Sequence, residues 1–150
     1  MTRVLVIDDH PIVLQGCRQL LEDAGVDNIV QAQSLADGFR LYRVQRPDVI
    51  IVDLATRTGG LGGLSFIRRL RLHDQRTPVL VFTMHSDPVI VSRALEVGAT
   101  GYVLKDASSE DFGGCAAAVG RCWMAIRISS GRVRTPSLAL SWVQVLATVL

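Results

Sequence analysis

Val49-Ile50-Ile51-Val52-Asp53 is a run of four β-branched apolar residues closed by a carboxylate. A strand with one wet face alternates apolar and polar side chains. A strand apolar throughout is covered on both faces, as in a parallel sheet sandwiched between helices. Val4-Leu5-Val6-Ile7 has the same character and runs into Asp8-Asp9-His10-Pro11. These two segments predict the middle of a parallel sheet with acidic residues at one edge.

Working outward, Pro11 fits the first turn of a helix in which Val13, Cys17, Leu20, Leu21 and Ala24 share one side, and Gly25 stops it. A weaker strand over Ile29–Ala32 leads to a helix from Ser34 to Gln45 with a Leu35, Phe39, Tyr42 stripe, and Pro47 resets the chain. After Asp53 a glycine-rich loop precedes a helix over Leu64–His73, with Leu64, Ile67 and Leu70 inward and Arg68, Arg69 and Arg71 outward or flanking. Pro78 introduces a strand over Val79–Thr83, Pro88 opens a helix that Gly98 closes, and Gly101–Lys105 is a fifth strand. Ser108 or Ser109 caps a last helix carrying Phe112, Cys115, Ala116 and Val119. Strands alternating with helices of this length predict right-handed βα units: an α/β fold with five parallel strands and helices on both faces.

With 49% hydrophobic and 20% charged residues, the 150-residue chain has the material for one core and is not of disordered composition. The net charge of +2 is dispersed, which gives no compositional case for nucleic-acid binding. Cys17, Cys115 and Cys122 have neither metal-site nor redox spacing, and their odd number fits a reducing compartment, so a cytoplasmic location is expected. The five-residue N-terminal apolar stretch is too short for a signal peptide or membrane span, and the segment around Trp142 is interrupted by Ser141 and Gln144. No membrane role is expected.

In an open parallel sheet the reactive groups lie beyond the carboxyl ends of the strands. Here those ends carry Asp8 and Asp9, Asp53, Thr83, and Lys105, the chain's single lysine. Crowded carboxylates repel one another, and a divalent cation relieves the repulsion. Oxygen ligands and an incoming phosphate favour Mg²⁺, held by Asp8, Asp9, Asp53 and the Ala55 carbonyl. Asp53 is then a nucleophile toward a phosphoryl group, with Lys105 offsetting charge on the transferring oxygens and the Thr83 hydroxyl donating to one of them. Movement of Thr83 toward that group would let Tyr102 swing inward and alter the neighbouring surface. Simpler roles are a helix-cap pair for Asp8 and Asp9, a turn carboxylate for Asp53, a strand-end hydroxyl for Thr83, a solvated lysine for Lys105 and a fixed ring for Tyr102. His73 and His85 lack partners at ligand spacing and are expected on the surface.

The motifs Asp8-Asp9-His10-Pro11, Val49-Ile50-Ile51-Val52-Asp53-Leu54, Val81-Phe82-Thr83 and Gly98-Ala99-Thr100-Gly101-Tyr102-Val103-Leu104-Lys105-Asp106, in this order, resemble the receiver domain of bacterial two-component response regulators. The first and last phrases are most similar to the NarL/FixJ, or LuxR-type, subfamily. The resemblance implies a flavodoxin-like sheet of strand order 2-1-3-4-5, a histidine kinase or phosphotransfer protein as phosphodonor, and a homodimer acting in transcriptional regulation. It covers residues 1–124, leaving 125–136 as a linker or helix extension. Residues 137–150 resemble the start of a helix-turn-helix output domain, or a dimerisation helix. No recognition helix follows by Leu150, so this segment is expected to be a fragment or a receiver that has lost its output, with no DNA binding of its own.

Two departures from the family pattern bear on activity. Thr56-Arg57 stand where relatives carry Met-Pro, and Thr58-Gly59-Gly60-Leu61-Gly62-Gly63 make the loop about two residues longer, which is expected to loosen the turn after Asp53. Arg57 either lies over the acidic cluster or points to solvent. Met84 replaces a small residue after Thr83 and is expected to narrow the approach, and His10 is either a helix-start residue or a modulator of access. An intact but slow site is expected. The alternative is a degenerate receiver that serves as a phosphorylation-independent interaction or dimerisation module.

Overall fold

The computed structural model describes residues 3–23, 25–55, 60–85 and 87–104. Strands β1 (Arg3–Ile7), β2 (Asn28–Ala32), β3 (Val49–Val52), β4 (Val79–Thr83) and β5 (Gly101–Leu104) alternate with helices α1 (Pro11–Asp23), α2 (Leu35–Gln45), α3 (Gly62–Arg71) and α4 (Pro88–Glu96). All strand pairs are parallel, and the order is β2-β1-β3-β4-β5. This is the flavodoxin-like arrangement expected from the sequence.

The two continuous apolar runs became the central strands because each supplies both layers of the core. Leu5, Ile7, Ile50 and Val52 pack with Phe66, Ile67 and Leu70 of α3 and Val91 and Ala94 of α4, while Val4, Val6, Val49 and Ile51 face Leu14, Cys17 and Leu21 of α1. Burying each large aliphatic or aromatic side chain contributes about 1.5–3 kcal/mol, so this two-sided packing fixes register. In α4, Asp87 caps the first turn by accepting from the Val89 N–H, with Pro88 at the first helical position. Gly25 and Gly98, at φ +87° and +109°, take the left-handed conformation just past α1 and α4.

Most element limits lie within a residue or two of expectation. Ser34 is the cap of α2 rather than its first residue, its hydroxyl accepting from the Asp37 N–H. The larger difference is at α3, which begins at Gly62 and not at Leu64, so Gly62 and Gly63 are helical and only the preceding residues connect it to Asp53. The α3 end is stapled by contacts that hydrophobic periodicity does not reveal. Arg71, one of the arginines placed outward or flanking, donates to the carbonyls of Gly98, Asp74 and Thr77. Asp74 accepts from Tyr42, Arg76 and Thr77.

Candidate functional site at the strand ends

Backbone pairing continues one residue past β1 and β3. The Asp8 N–H donates to the Ala32 carbonyl (3.1 Å), and the Asp53 N–H donates to the Ile7 carbonyl (3.0 Å). The two acids are thereby anchored at the same sheet edge, although 45 positions separate them. Asp8 and Asp53 are 4% and 5% exposed, and burial of this kind demands a compensating cation or hydrogen bonds. One ligand atom from each of Asp8, Asp9, His10 and Asp53 lies within 4.8 Å of the others.

His10 caps this cluster. Its ring Nδ1 is 3.0 Å from Asp8 Oδ1 and 2.9 Å from Asp9 Oδ1, and its backbone N–H donates to Asp8 Oδ1 at 2.8 Å. The ring is more than half exposed, so it lies between the carboxylates and solvent. On the far side, the Ala55 N–H donates to Asp53 Oδ1 at 3.2 Å and restrains that carboxylate.

Gly63 sets how closely α3 approaches. A Cβ there would meet the Asp53 carbonyl oxygen at 2.5 Å and the Leu54 Cα at 2.6 Å, and the Gly63 N–H donates to the Leu54 carbonyl at 3.1 Å. In the sequence this glycine reads as part of a flexible insertion. The signal that singles it out is a glycine in the first turn of an amphipathic helix, where one backbone must pass close to another.

Thr83 is fully buried at the end of β4, and its Oγ1 accepts from the His85 N–H at 3.4 Å. Tyr102 is 1% exposed, and its hydroxyl donates to the His85 carbonyl at 2.5 Å. The ring is therefore already inside, so an inward swing does not start from this conformation. Burial pushes the Tyr102 hydroxyl up to about 12, and the charges of Asp53 and Asp87 add to that shift. His85 is intermediate in exposure and makes both of these contacts through its backbone, whereas His73 is exposed as expected. Met84 is 56% exposed. Lys105, Arg57, the last helix and residues 125–136 and 137–150 lie outside the described residues.

The donor set fits a hard divalent cation: carboxylate oxygens from three aspartates, two of them buried, gathered at one point. A doubly wound parallel sheet carrying such an acidic cluster on its carboxyl edge is the architecture of the receiver-domain class. Residues 4–113 match the response regulator receiver domain, and the chain belongs to that family of two-component signalling proteins.

Among its relatives, the methanol utilization control regulatory protein MoxX of Paracoccus denitrificans is 39% identical over 115 residues, covering 77% of this chain and 51% of that protein. A probable transcriptional regulatory protein NarL of Mycobacterium tuberculosis is 36% identical over 107 residues, covering 71% and 49%. A two-component response regulator of the LuxR family from Aurantimonas sp. superposes with a TM-score of 0.63 at 32% identity, covering 93% of this chain and 94% of that one. The chain spans about half the length of the curated relatives it matches. No helix among the described residues is long and apolar enough to cross a membrane.

Proposed function

We propose that the chain is a phosphoacceptor in which Asp53 takes a phosphoryl group from a histidine kinase phosphohistidine or a small phosphodonor. The reading is carried by the convergence of Asp8, Asp9, His10 and Asp53 within 4.8 Å at the sheet edge. An Asp53 carboxylate oxygen forms the new O–P bond, the donor's N–P bond breaks, and the leaving imidazole keeps the electron pair and takes up a proton. Asp8, Asp9, Asp53 and the Ala55 carbonyl would hold Mg²⁺, which when bound offsets charge on the transferring oxygens. Lys105 would add to that offset, and Thr83 would donate to a phosphoryl oxygen. Arg57 and Met84 modulate access.

Transfer ends in an acyl phosphate on the protein itself, so this is self-catalysed modification with slow loss of the group rather than turnover. Thr83 and Tyr102 convert it into a signal. With the ring inward and bonded to the His85 carbonyl, movement of Thr83 toward the phosphoryl group alters the turn that both residues hold. The output we infer is altered homodimerisation in cytoplasmic transcriptional control, with residues 1–124 as receiver, 125–136 as linker or helix extension, and 137–150 as the start of an output domain or a dimerisation helix. DNA contact requires a complete output domain.

A second reading, a receiver that binds partners without phosphorylation, is favoured by one feature: the His10 ring already occupies oxygens of Asp8 and Asp9. Intact mass after incubation with acetyl phosphate and Mg²⁺ separates the two. One added phosphoryl group that is lost in Asp53→Asn supports the phosphoacceptor, and no gain at any metal concentration supports the second reading.

A further inference from the structure

Away from the acidic edge, α2 and α3 lie side by side and leave a groove of 740 Å³ lined by Phe39, Tyr42, Arg43, Arg46, Arg69 and His73 among others. A second hollow continues along the same helices and shares Phe39, Arg43 and Arg69, adding the apolar Leu35, Val44 and Phe66 beside Arg40, which pairs with Asp37. The groove thus has a basic end and an aromatic, apolar end.

Arg43, Arg46 and Arg69 give this end more cationic than anionic side chains. Among the described residues, neither Arg43 nor Arg46 has a carboxylate within ion-pair distance, and both are exposed. The lining also holds one carboxylate, Asp74, whose oxygens accept from the Tyr42 and Thr77 hydroxyls and the backbone N–H groups of Arg76 and Thr77; these neutral donors leave its charge in place, and the arginines outnumber it. Arg46 is held at this end by backbone: it caps α2 in the left-handed conformation at φ 45°, its N–H bonded to the Tyr42 carbonyl. Where the two hollows meet, the Arg69 guanidinium lies 4.4 Å over the Phe39 ring, which is packed edge-on against Phe66.

We propose that this groove binds a nucleoside diphosphate, with the phosphates on Arg43, Arg46 and His73 and the base against the Phe39–Arg69 pair. Guanidinium forks match phosphate oxygens, a stacked cation and ring form a surface for a planar base, and the volume suits a ligand of that size. An inorganic anion would use only the basic end. An acidic peptide would leave the aromatic end without a planar partner.

The test is isothermal titration of the whole chain with ADP in metal-free buffer, beside adenosine, pyrophosphate and a polyglutamate peptide. ADP is expected to bind at least about tenfold more tightly than any of the three. Arg43→Ser and Arg46→Ser, both at exposed positions, should weaken ADP and pyrophosphate alike by about tenfold. Phe39→Leu and the exposed Arg69→Met should weaken ADP and leave pyrophosphate unchanged, and Asp53→Asn should leave ADP binding intact. Absence of saturable ADP binding at about millimolar concentration, pyrophosphate binding equal to ADP, or tighter binding of the peptide would each overturn the proposal. Loss of ADP binding in Asp53→Asn would do so too, by moving the ligand to the acidic edge. Phosphorylation of Asp53 does not enter this experiment, so the two readings stand or fall separately.

Discussion

Gly63 presses its α-carbon against the peptide of Asp53: any side chain there would begin 2.5 Å from the Asp53 carbonyl oxygen. The obstructing atoms are backbone, on a strand end fixed by the Asp53 N–H bond to Ile7, so neither side can yield cheaply. Gly63→Ala is expected to push α3 outward, cost about 1–3 kcal/mol in urea unfolding, and slow phosphorylation of Asp53 by acetyl phosphate. A variant with unchanged stability and rate would show that the helix start relaxes freely.

Asp74 anchors the α3 end through Tyr42, Arg76 and Thr77. Burial alone would raise its carboxyl, but the hydrogen bonds from Thr77, Arg76 and Tyr42 outweigh that and hold it well below the usual carboxylate range. A group depressed in the folded state contributes stability above its unfolded value, about pH 4, and loses it as pH falls through the folded value. Asp74→Ala is therefore expected to cost about 1–3 kcal/mol near neutrality. The gap between wild type and variant should narrow in acid, as followed by chemical denaturation at a series of pH values.

Tyr102 gives the opposite sign at the alkaline end. Its hydroxyl is raised to about 12 by burial first and by Asp53 and Asp87 second. A raised group contributes stability that is complete below the unfolded value, about 10, and is lost as pH climbs through the folded one. Wild type should lose stability between these values more steeply than Tyr102→Phe. Phenolate absorbance of the native chain should also develop late, because Tyr42 is raised as well, chiefly by burial and by Asp74. A free-tyrosine titration curve in the folded protein would contradict the buried placement.

The parallel sheet was legible because its signal is local and redundant: two runs apolar at every position, each ending in acid, separated by helix-length segments with Pro and Gly punctuation. The convergence of Asp8, Asp9 and Asp53 followed from a topological rule that needs no side-chain detail. What escaped reading depends on approach in space. Nothing in the spacing of Tyr42, Arg71 and Asp74 announces that they meet, and the tight fit of Gly63 looks in sequence like looseness. For Tyr102 the sequence leaves open a mobile or a fixed ring, because its resting position depends on a carbonyl, that of His85, which carries no side-chain signature.

The His10 ring bears most directly on metal affinity. Nδ1 lies 3.0 and 2.9 Å from oxygens of Asp8 and Asp9, the same carboxylates proposed to hold the cation. A cation shared by both carboxylates competes with the ring for their negative charge. Removing the ring leaves the carboxylates facing one another without that donor, a repulsion that Mg²⁺ relieves. One net hydrogen bond is worth about 1 kcal/mol, so His10→Ala should tighten Mg²⁺ binding about fivefold in isothermal titration, while Asp53→Asn weakens it in either background. The backbone N–H of His10, which donates to Asp8 Oδ1, survives the substitution and keeps that carboxylate in place. Unchanged or weaker binding in His10→Ala would mean that the ring positions the acidic pair for the metal instead of competing with it.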